Sequence, residues 1–132
     1  MKAFAIYHLP AILYGIAILA VSSVPNLKAP EVDFWAVDKV VHFLEYAGFA
    51  FLTFRSVSHF GGEIQRRLAF WSALVLSVGV ALIDELWQGF VPGRTSDPLD
   101  FLADVLGGAV AVVVLWLARS RKPQQKPESV HI

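Results

Sequence analysis

Residues 68–90 of the chain have the sequence LAFWSALVLSVGVALIDELWQGF. This stretch is apolar along most of its length, and its first charged residues are Asp84 and Glu85. A hydrocarbon core about 30 Å thick is crossed by about 20 helical residues, because each residue adds about 1.5 Å. The stretch therefore predicts a membrane-spanning helix with two carboxylates near one end.

Three further apolar stretches of similar length occupy residues 4–24, 37–57 and 98–118. The chain has 132 residues, of which 56% are hydrophobic, and a mean hydropathy of +0.58, which is too apolar for an ordinary soluble domain. We predict an all-α fold, a four-helix transmembrane bundle over residues 1–118, in a multi-pass protein of the cytoplasmic membrane. Lys2 before the first stretch also fits a signal peptide, but that stretch is longer than most signal-peptide cores.

The formal net charge is zero, which gives no electrostatic basis for binding nucleic acid. The chain contains no cysteine, so disulfide bonds and thiolate chemistry are excluded. Membrane lipids are the expected partners, and the sequence leaves oligomerisation open. We find no serine nucleophile motif, phosphate-binding loop or dinucleotide fingerprint.

Lys and Arg residues near the ends of membrane spans bias the adjacent loops toward the cytoplasm. They are concentrated before the first stretch, between the second and third, and after the fourth. We therefore predict that both termini are cytoplasmic and that the loops at residues 25–36 and 91–97 face outward. Residues 119–132 are basic and rich in Pro and Gln, which predicts a disordered cytoplasmic tail.

Local signals place the connection before the fourth stretch. The dipeptide Pro92-Gly93 is typical of a tight turn. Asp97 followed by Pro98 predicts a helix start, with Asp97 as the N-cap and Pro98 at the first helical position. Gly107 and Gly108 then allow a neighbouring helix to approach closely.

Polar or ionisable side chains interrupt the apolar stretches at one end of the predicted bundle. A charged group at mid-bilayer costs about 3 kcal/mol on insertion scales, so such groups normally face other helices or a wet cavity. We call the set the polar cluster. Its members are Asp38, Lys39, His42, Glu45, Tyr46, Asp84, Glu85, Gln88, Arg94, Asp97, Asp100 and Asp104.

Spacing predicts that the polar cluster converges. Asp38, His42 and Glu45 are separated by four and three residues, which places them on one helix face. The second and third stretches run in opposite directions, and Glu45 and Asp84 each lie roughly 10 Å from their outward ends. We therefore expect one outward-facing polar pocket built from three helices.

The charge of this pocket needs compensation. Seven carboxylates stand against two permanent cations, Lys39 and Arg94, and like charges at short distance raise one another's pKa. Bound metal, retained protons, a cationic substrate or exposure of some acids to open water would each reduce the excess. A divalent cation is thus one candidate cofactor. With one histidine in the cluster, an all-oxygen Mg²⁺ or Ca²⁺ site is chemically easier than a zinc or di-iron site.

The spaced combination of these residues resembles the VanZ-like family of small bacterial membrane proteins. The resemblance extends over residues 38–108 and rests on three segments. They are Asp38-Lys39-x-x-His42-x-x-x-Tyr46-x-Gly48, Asp84-Glu85-x-x-Gln88-x-Phe90, and Pro92-Gly93-Arg94 with Asp97-x-x-Asp100. It implies a four-span protein of the bacterial cell envelope, in a family named for a protein associated with resistance to the glycopeptide teicoplanin. The chain has Asp104 where the resemblance leads us to expect Asn.

We assign candidate roles within the polar cluster by depth and residue type. The candidate catalytic residues are His42, Glu45, Asp84 and Glu85, with His42 titrating near neutral pH. The candidate ligand-binding residues are Asp38, Lys39, Tyr46, Gln88, Arg94, Asp97, Asp100 and Asp104. A structural alternative exists for each, including a snorkelling Lys39, an Arg94 paired with Asp97 or Asp100, and helix-to-helix hydrogen bonds from Tyr46 and Gln88.

Three functions fit these features. The first is an outward-facing pocket that binds, and in one version modifies, a lipid-linked cell-wall component or an amphiphilic glycopeptide or lipopeptide. The second is a non-catalytic membrane scaffold or partner protein whose polar network is structural. The third is proton- or cation-coupled transport, which four spans without an internal repeat support less well. The sequence alone does not decide whether the protein is an enzyme.

Overall fold

The computed structural model describes residues 2–26 and 35–120, and the regular elements within these ranges are all helices. The predicted all-α class is confirmed. Residues 121–132 of the predicted tail and most of the first predicted outward loop lie outside the described ranges. The helices are α1 (Lys2–Tyr7), α2 (Leu9–Ser22), α3 (Trp35–Ser58), α4 (Glu63–Gln88) and α5 (Pro98–Ser120).

The first apolar stretch forms two helices instead of the single helix that we expected over residues 4–24. They meet at His8, because Pro10 has no N–H to donate to the carbonyl of Ile6. Arg55 of α3 satisfies that carbonyl through a hydrogen bond of 2.9 Å from Nη2. The amide of His8 still donates to Phe4, so the two helices are nearly continuous.

The remaining helices pack around the pair α3 and α5, which make the most extensive contact, and α4 packs against both. α2 makes smaller contacts with α3 and α4. Gly107 explains the closeness of the central pair, since a Cβ atom at this position would overlap the carbonyl oxygen of Phe43. Gly107 and Gly108 are both buried, as the small-residue face of the fourth stretch predicted.

The buried face of α4 begins as a row of small side chains at four-residue spacing and continues into acids and an amide. Four-residue spacing keeps side chains on one face of a helix, and small residues allow helices to pack closely. The row comprises Ala69, Ala73, Ser77, Ala81, Asp84, Glu85 and Gln88. The fold therefore directs the acids of the third stretch toward neighbouring helices and away from its surroundings.

The outer surface has the opposite composition. Leu44 is 61% exposed and Val75 is 64% exposed, whereas Asp104 is fully buried. α4 and α5 are each long and apolar enough to cross a bilayer, and α3 is similarly long but includes four charged residues. An exterior of large apolar side chains around buried carboxylates is typical of a protein in lipid. This chain is a membrane protein.

The predicted turn and the predicted helix cap both form at the end of the molecule that holds the polar cluster. The amide of Arg94 donates to the carbonyl of Val91, with Gly93 at a φ of 77° between them, as a type II turn requires. Asn26 donates from its amide to the Pro92 carbonyl and so ties the end of the first helix pair to this turn. Asp97 caps α5 by accepting the Leu99 N–H at 2.9 Å, as predicted.

Candidate functional site

Lys39, one turn into α3, connects this helix to the start of α5. Its ammonium group lies 2.7 Å from Asp97 Oδ2 and 3.4 Å from Asp38 Oδ2, and it also contacts Asp100 Oδ1. Lys39 therefore turns inward to the carboxylates and does not snorkel. This ammonium and the Leu99 N–H hold the pKa of Asp97 below its ordinary value.

His42 lies one turn deeper on the same face of α3 and points at α5. Its Nδ1 is 3.0 Å from Asp104 Oδ1, and its Nε2 is 3.9 Å from Asp100 Oδ2. Asp100 and Asp104 are four residues apart on one face of α5, so a single imidazole reaches both. We grouped Glu45 and Asp84 with His42 as candidate catalytic residues, whereas the hydrogen-bond partner of His42 is Asp104.

Through Glu85, α4 also reaches the region where His42 meets α5. Its Oε2 accepts hydrogen bonds from the Asp97 amide at 2.9 Å and the Ser96 hydroxyl at 3.1 Å. One ligand atom each of His42, Glu85 and Asp104 lies within 4.8 Å of the others. Three helices thus present one imidazole and two buried carboxylates to a common centre.

A second group with the same mutual spacing consists of Asp38, His42 and Asp100. It shares the imidazole with the first group but lies nearer the helix ends. Asp100 is already in contact with Lys39, and the Asp38 side chain is 40% exposed. This group is therefore better solvated and better neutralised than the group of His42, Glu85 and Asp104.

The side chain of Asp84 has different hydrogen-bond partners from that of its neighbour Glu85. Gln88 donates from Nε2 to Asp84 Oδ2 at 3.1 Å and to the Ser22 hydroxyl at 3.4 Å, which connects α4 to the end of α2. Asp84 and Gln88 are both buried. The two adjacent acids of α4 are therefore divided between α2 and the α3–α5 pair.

The remaining members of the polar cluster surround these groups. Tyr46 is fully buried, with its ring centre 6.4 Å from that of Phe49 and its hydroxyl within electrostatic range of Asp84, and Glu45 is partly buried. Arg94 lies within electrostatic range of Glu45 and Asp84. Within the described residues, Lys39 contacts both Asp97 and Asp100, the two acids that we considered as partners of Arg94.

With the geometry established, comparison with known proteins gives the family. A family model described as VanZ/LLP1 matches residues 5–119. The chain belongs to the VanZ/LLP1 family. Neither a curated protein nor a solved structure matches it. The family assignment confirms the resemblance found in the sequence and extends it to the first helix pair.

This VanZ/LLP1 chain has a second group of polar side chains at the opposite end, which sequence reasoning missed. His8 Nδ1 is 2.6 Å from the Ser56 hydroxyl, and His59 Nδ1 is 2.6 Å from the Ser56 carbonyl oxygen. His59 also stacks on Tyr7 with the ring centres 4.3 Å apart. These residues come from α1, α3 and the connections that follow these two helices, and no periodicity in the sequence relates positions 8 and 56.

Two arginines line a cavity of about 500 Å³ at the same opposite end of this VanZ/LLP1 chain. Arg119 donates to the Ser58 hydroxyl, and Arg66 donates to the Ser120 hydroxyl at 2.9 Å. Arg66 also lies over the Trp116 ring, 4.2 Å from its centre. The two ends of the molecule thus differ in charge, with acids concentrated at one and arginines at the other.

Proposed function

We propose that this VanZ/LLP1 protein crosses the cytoplasmic membrane of a bacterium four times, with both termini in the cytoplasm. α1 and α2 together form the first span, and α3, α4 and α5 form the others. The arginine-lined end, with Arg66 and Arg119, then faces the cytoplasm in agreement with the positive-inside rule. The polar cluster then faces outward.

We further propose that the polar cluster binds the headgroup of an amphiphile, which is a lipid-linked cell-wall component or an amphiphilic glycopeptide or lipopeptide. The observation that supports this function is the convergence of His42, Glu85 and Asp104 from three helices. Glu85 lies about 5 Å from the end of α4, because Gln88 is its last residue. That depth is close to the level where lipid headgroups meet hydrocarbon.

The polar cluster also suits headgroup chemistry. Lys39 is engaged by Asp97 and Asp100, so the deeper acids are the groups that remain for a ligand. His42 is the group best placed to transfer a proton, since Asp104 orients one of its nitrogens. Where binding leads to reaction, we assign His42 the role of general acid or base and Asp104 the role of its positioning residue.

Direct binding measurements test this function. The purified protein is mixed with lipid-linked cell-wall precursors or with a lipoglycopeptide, and bound ligand is measured by native mass spectrometry and turnover by product analysis. We expect the native chain to retain the ligand and His42→Ala and Asp84→Asn to lose it. Glu63→Gln, which removes an acid at the opposite end, is the matched control. A folded native chain that neither binds nor converts any of these ligands contradicts the proposal.

A structural role for the same residues is the second candidate. The contacts of Lys39 with Asp97 and of His42 with Asp104 each join α3 to α5, as hydrogen bonds that fix helix register would. In a scaffold protein the same substitutions lower thermal stability and abundance in the membrane and leave no ligand signal to lose. Thermal unfolding in detergent, measured beside the binding assay, separates the two functions.

A further inference from the structure

Three side chains from three helices meet in an arrangement that fits a metal ion. One ligand atom each of His42, Glu85 and Asp104 lies within 4.8 Å of the others. Atoms bound to one ion at about 2.0–2.2 Å are separated by no more than about 4.4 Å, which is comparable with the upper limit on the spacing of these ligand atoms. Glu85 is 4% exposed and Asp104 is fully buried, so the centre is shielded from bulk solvent.

Independent evidence for a ligand comes from buried polar atoms around this centre. Within residues 2–26 and 35–120, Glu85 Oε1, Asp104 Oδ2 and the Tyr46 hydroxyl are buried and have no hydrogen-bond partner. Buried polar atoms in native proteins are nearly always paired. The Tyr46 hydroxyl belongs to a fully buried side chain within electrostatic range of Asp84 and Asp104. Several unpartnered oxygens around one buried centre are what a cation would satisfy.

Lys39 and His42 do not fill this role. Lys39 contacts Asp38, Asp97 and Asp100, which lie nearer the helix ends. The imidazole of His42 contacts Asp104 Oδ1, so the other oxygen of Asp104 has no hydrogen-bond partner among the described residues. Glu85 Oε2 receives two hydrogen bonds from neutral donors, which leaves its negative charge without a cation in direct contact within the described ranges.

We propose that His42, Glu85 and Asp104 bind one divalent transition-metal ion of the Mn²⁺, Fe²⁺ and Zn²⁺ class, with His42 serving as a metal ligand in place of the general acid or base assigned above. One imidazole nitrogen and two carboxylate oxygens suit these ions, whereas Mg²⁺ and Ca²⁺ bind oxygen ligands almost exclusively. The group of Asp38, His42 and Asp100 is the weaker alternative, because Lys39 already contacts two of its members. Three protein ligands also leave coordination positions for a substrate oxygen.

The metal would explain how an acidic site accepts an anionic headgroup, an argument that rests on the proposed function. A divalent ion offsets the charge of Glu85 and Asp104 and places positive charge at the centre of the polar cluster. A phosphate or carboxylate oxygen of the ligand then completes its coordination. The substrate class that follows is a phosphate- or carboxylate-bearing amphiphile, in preference to a purely cationic one.

Metal binding is tested without any lipid ligand. The native chain is purified in detergent, stripped with a chelator and titrated with Mn²⁺ alone, and free Mn²⁺ is measured by electron paramagnetic resonance. We expect one ion per chain and an affinity at least about tenfold lower for Glu85→Gln and Asp104→Asn. Glu63→Gln is the control that keeps native affinity. Equal affinity in Glu85→Gln, Asp104→Asn and the native chain overturns the proposal, as does a folded native chain that binds no Mn²⁺.

A measurement on the native site keeps the test decisive when Glu85→Gln or Asp104→Asn fails to fold. Pulsed electron paramagnetic resonance of bound Mn²⁺ detects coupling to a histidine nitrogen. We expect this coupling in the triple variant His8→Gln/His59→Gln/His131→Gln, which keeps His42 as the one remaining histidine of the sequence. Absence of nitrogen coupling there overturns the assignment.

The two proposals fail in different ways. If headgroup binding persists after complete removal of metal, the proposed function is retained and the metal proposal is rejected. If Mn²⁺ binds at His42 but the protein retains no amphiphile, the metal proposal is retained and the proposed function is rejected. Running the lipid-binding assay with and without Mn²⁺ gives both results from one preparation.

Discussion

Lys39 contributes more to this structure than its charge alone suggests. Its side chain is 19% exposed and contacts three carboxylates, one on its own helix and two at the start of α5. Hydrogen bonds to charged groups contribute about 1.5–3 kcal/mol each when the partners are sheltered from water. The single ammonium group therefore offsets part of the carboxylate charge and also stabilises the contact between two helices.

We predict that Lys39→Met lowers the free energy of unfolding in detergent by about 2 kcal/mol, because the nearly buried Asp100 then loses its counter-charge. Arg67→Met provides the control. Arg67 pairs with Glu63 at the opposite end, but its side chain is 71% exposed, and such surface pairs contribute less than about 1 kcal/mol. Equal losses in the two variants would contradict the role assigned to Lys39.

Glycine at position 107 is required by a close backbone contact. A Cβ atom there would overlap the Phe43 carbonyl oxygen, and backbone moves less readily than a side chain. We predict that Gly107→Ala lowers the free energy of unfolding by about 1–3 kcal/mol, measured by chemical denaturation in micelles. Gly79→Ala is the matched control, since a Cβ at Gly79 meets no atom within 4 Å. Alanine there should be neutral or stabilise the helix by up to about 1 kcal/mol.

At the scale of elements, most of the fold follows from local signals. Predicted spans at residues 37–57 and 98–118 differ from α3 and α5 by two residues or fewer at each end. The Asp97 cap and the Pro92-Gly93 turn form as expected, because both depend on residues close in sequence. α4 begins at Glu63, five residues earlier than expected, because the mostly polar residues 63–67 continue the helix beyond the apolar stretch. Gly61 and Gly62, both at positive φ, precede it.

The start of α5 offers a test that separates capping from ion pairing. Asp97→Asn keeps a side-chain oxygen for the Leu99 N–H but removes the charge that faces Lys39, whereas Asp97→Ala removes both. We predict that the alanine variant is less stable than the asparagine variant by about 1 kcal/mol. Hydrogen exchange in the first turn of α5 should increase in the alanine variant only. Similar exchange in both variants would show that the cap contributes nothing.

At the scale of the whole molecule, the sequence indicated which residues are polar at one end but not which of them meet. His42 contacts Asp104, 62 residues away, because α3 packs against α5, and such long-range contacts are not encoded in local spacing. The small-residue row of α4 and the His8–Ser56 contact depend equally on tertiary packing. Functional roles for the polar cluster stay predictions.

Topology is the prediction that concerns the entire chain. The native sequence contains no cysteine, so single substitutions report cleanly on each side of the membrane. We predict that Thr95→Cys, in the α4–α5 connection, reacts with a membrane-impermeant maleimide in intact cells. Phe60→Cys, in the α3–α4 connection, should react only after the cells are permeabilised. The reverse pattern would place the polar cluster on the cytoplasmic side.

The long sequence separation between paired charges has a consequence for biogenesis. Lys39 and Asp97 are 58 residues apart, and His42 and Asp104 are 62 residues apart. During synthesis the ribosome therefore delivers α3 to the insertion machinery well before α5 exists. Until α5 follows, the charged first turns of α3 have no neutralising partner from it and are costly to place in lipid. Stable insertion of α3 is thus coupled to the arrival of the last helix, and a chain truncated before residue 97 should be a substrate for membrane quality control.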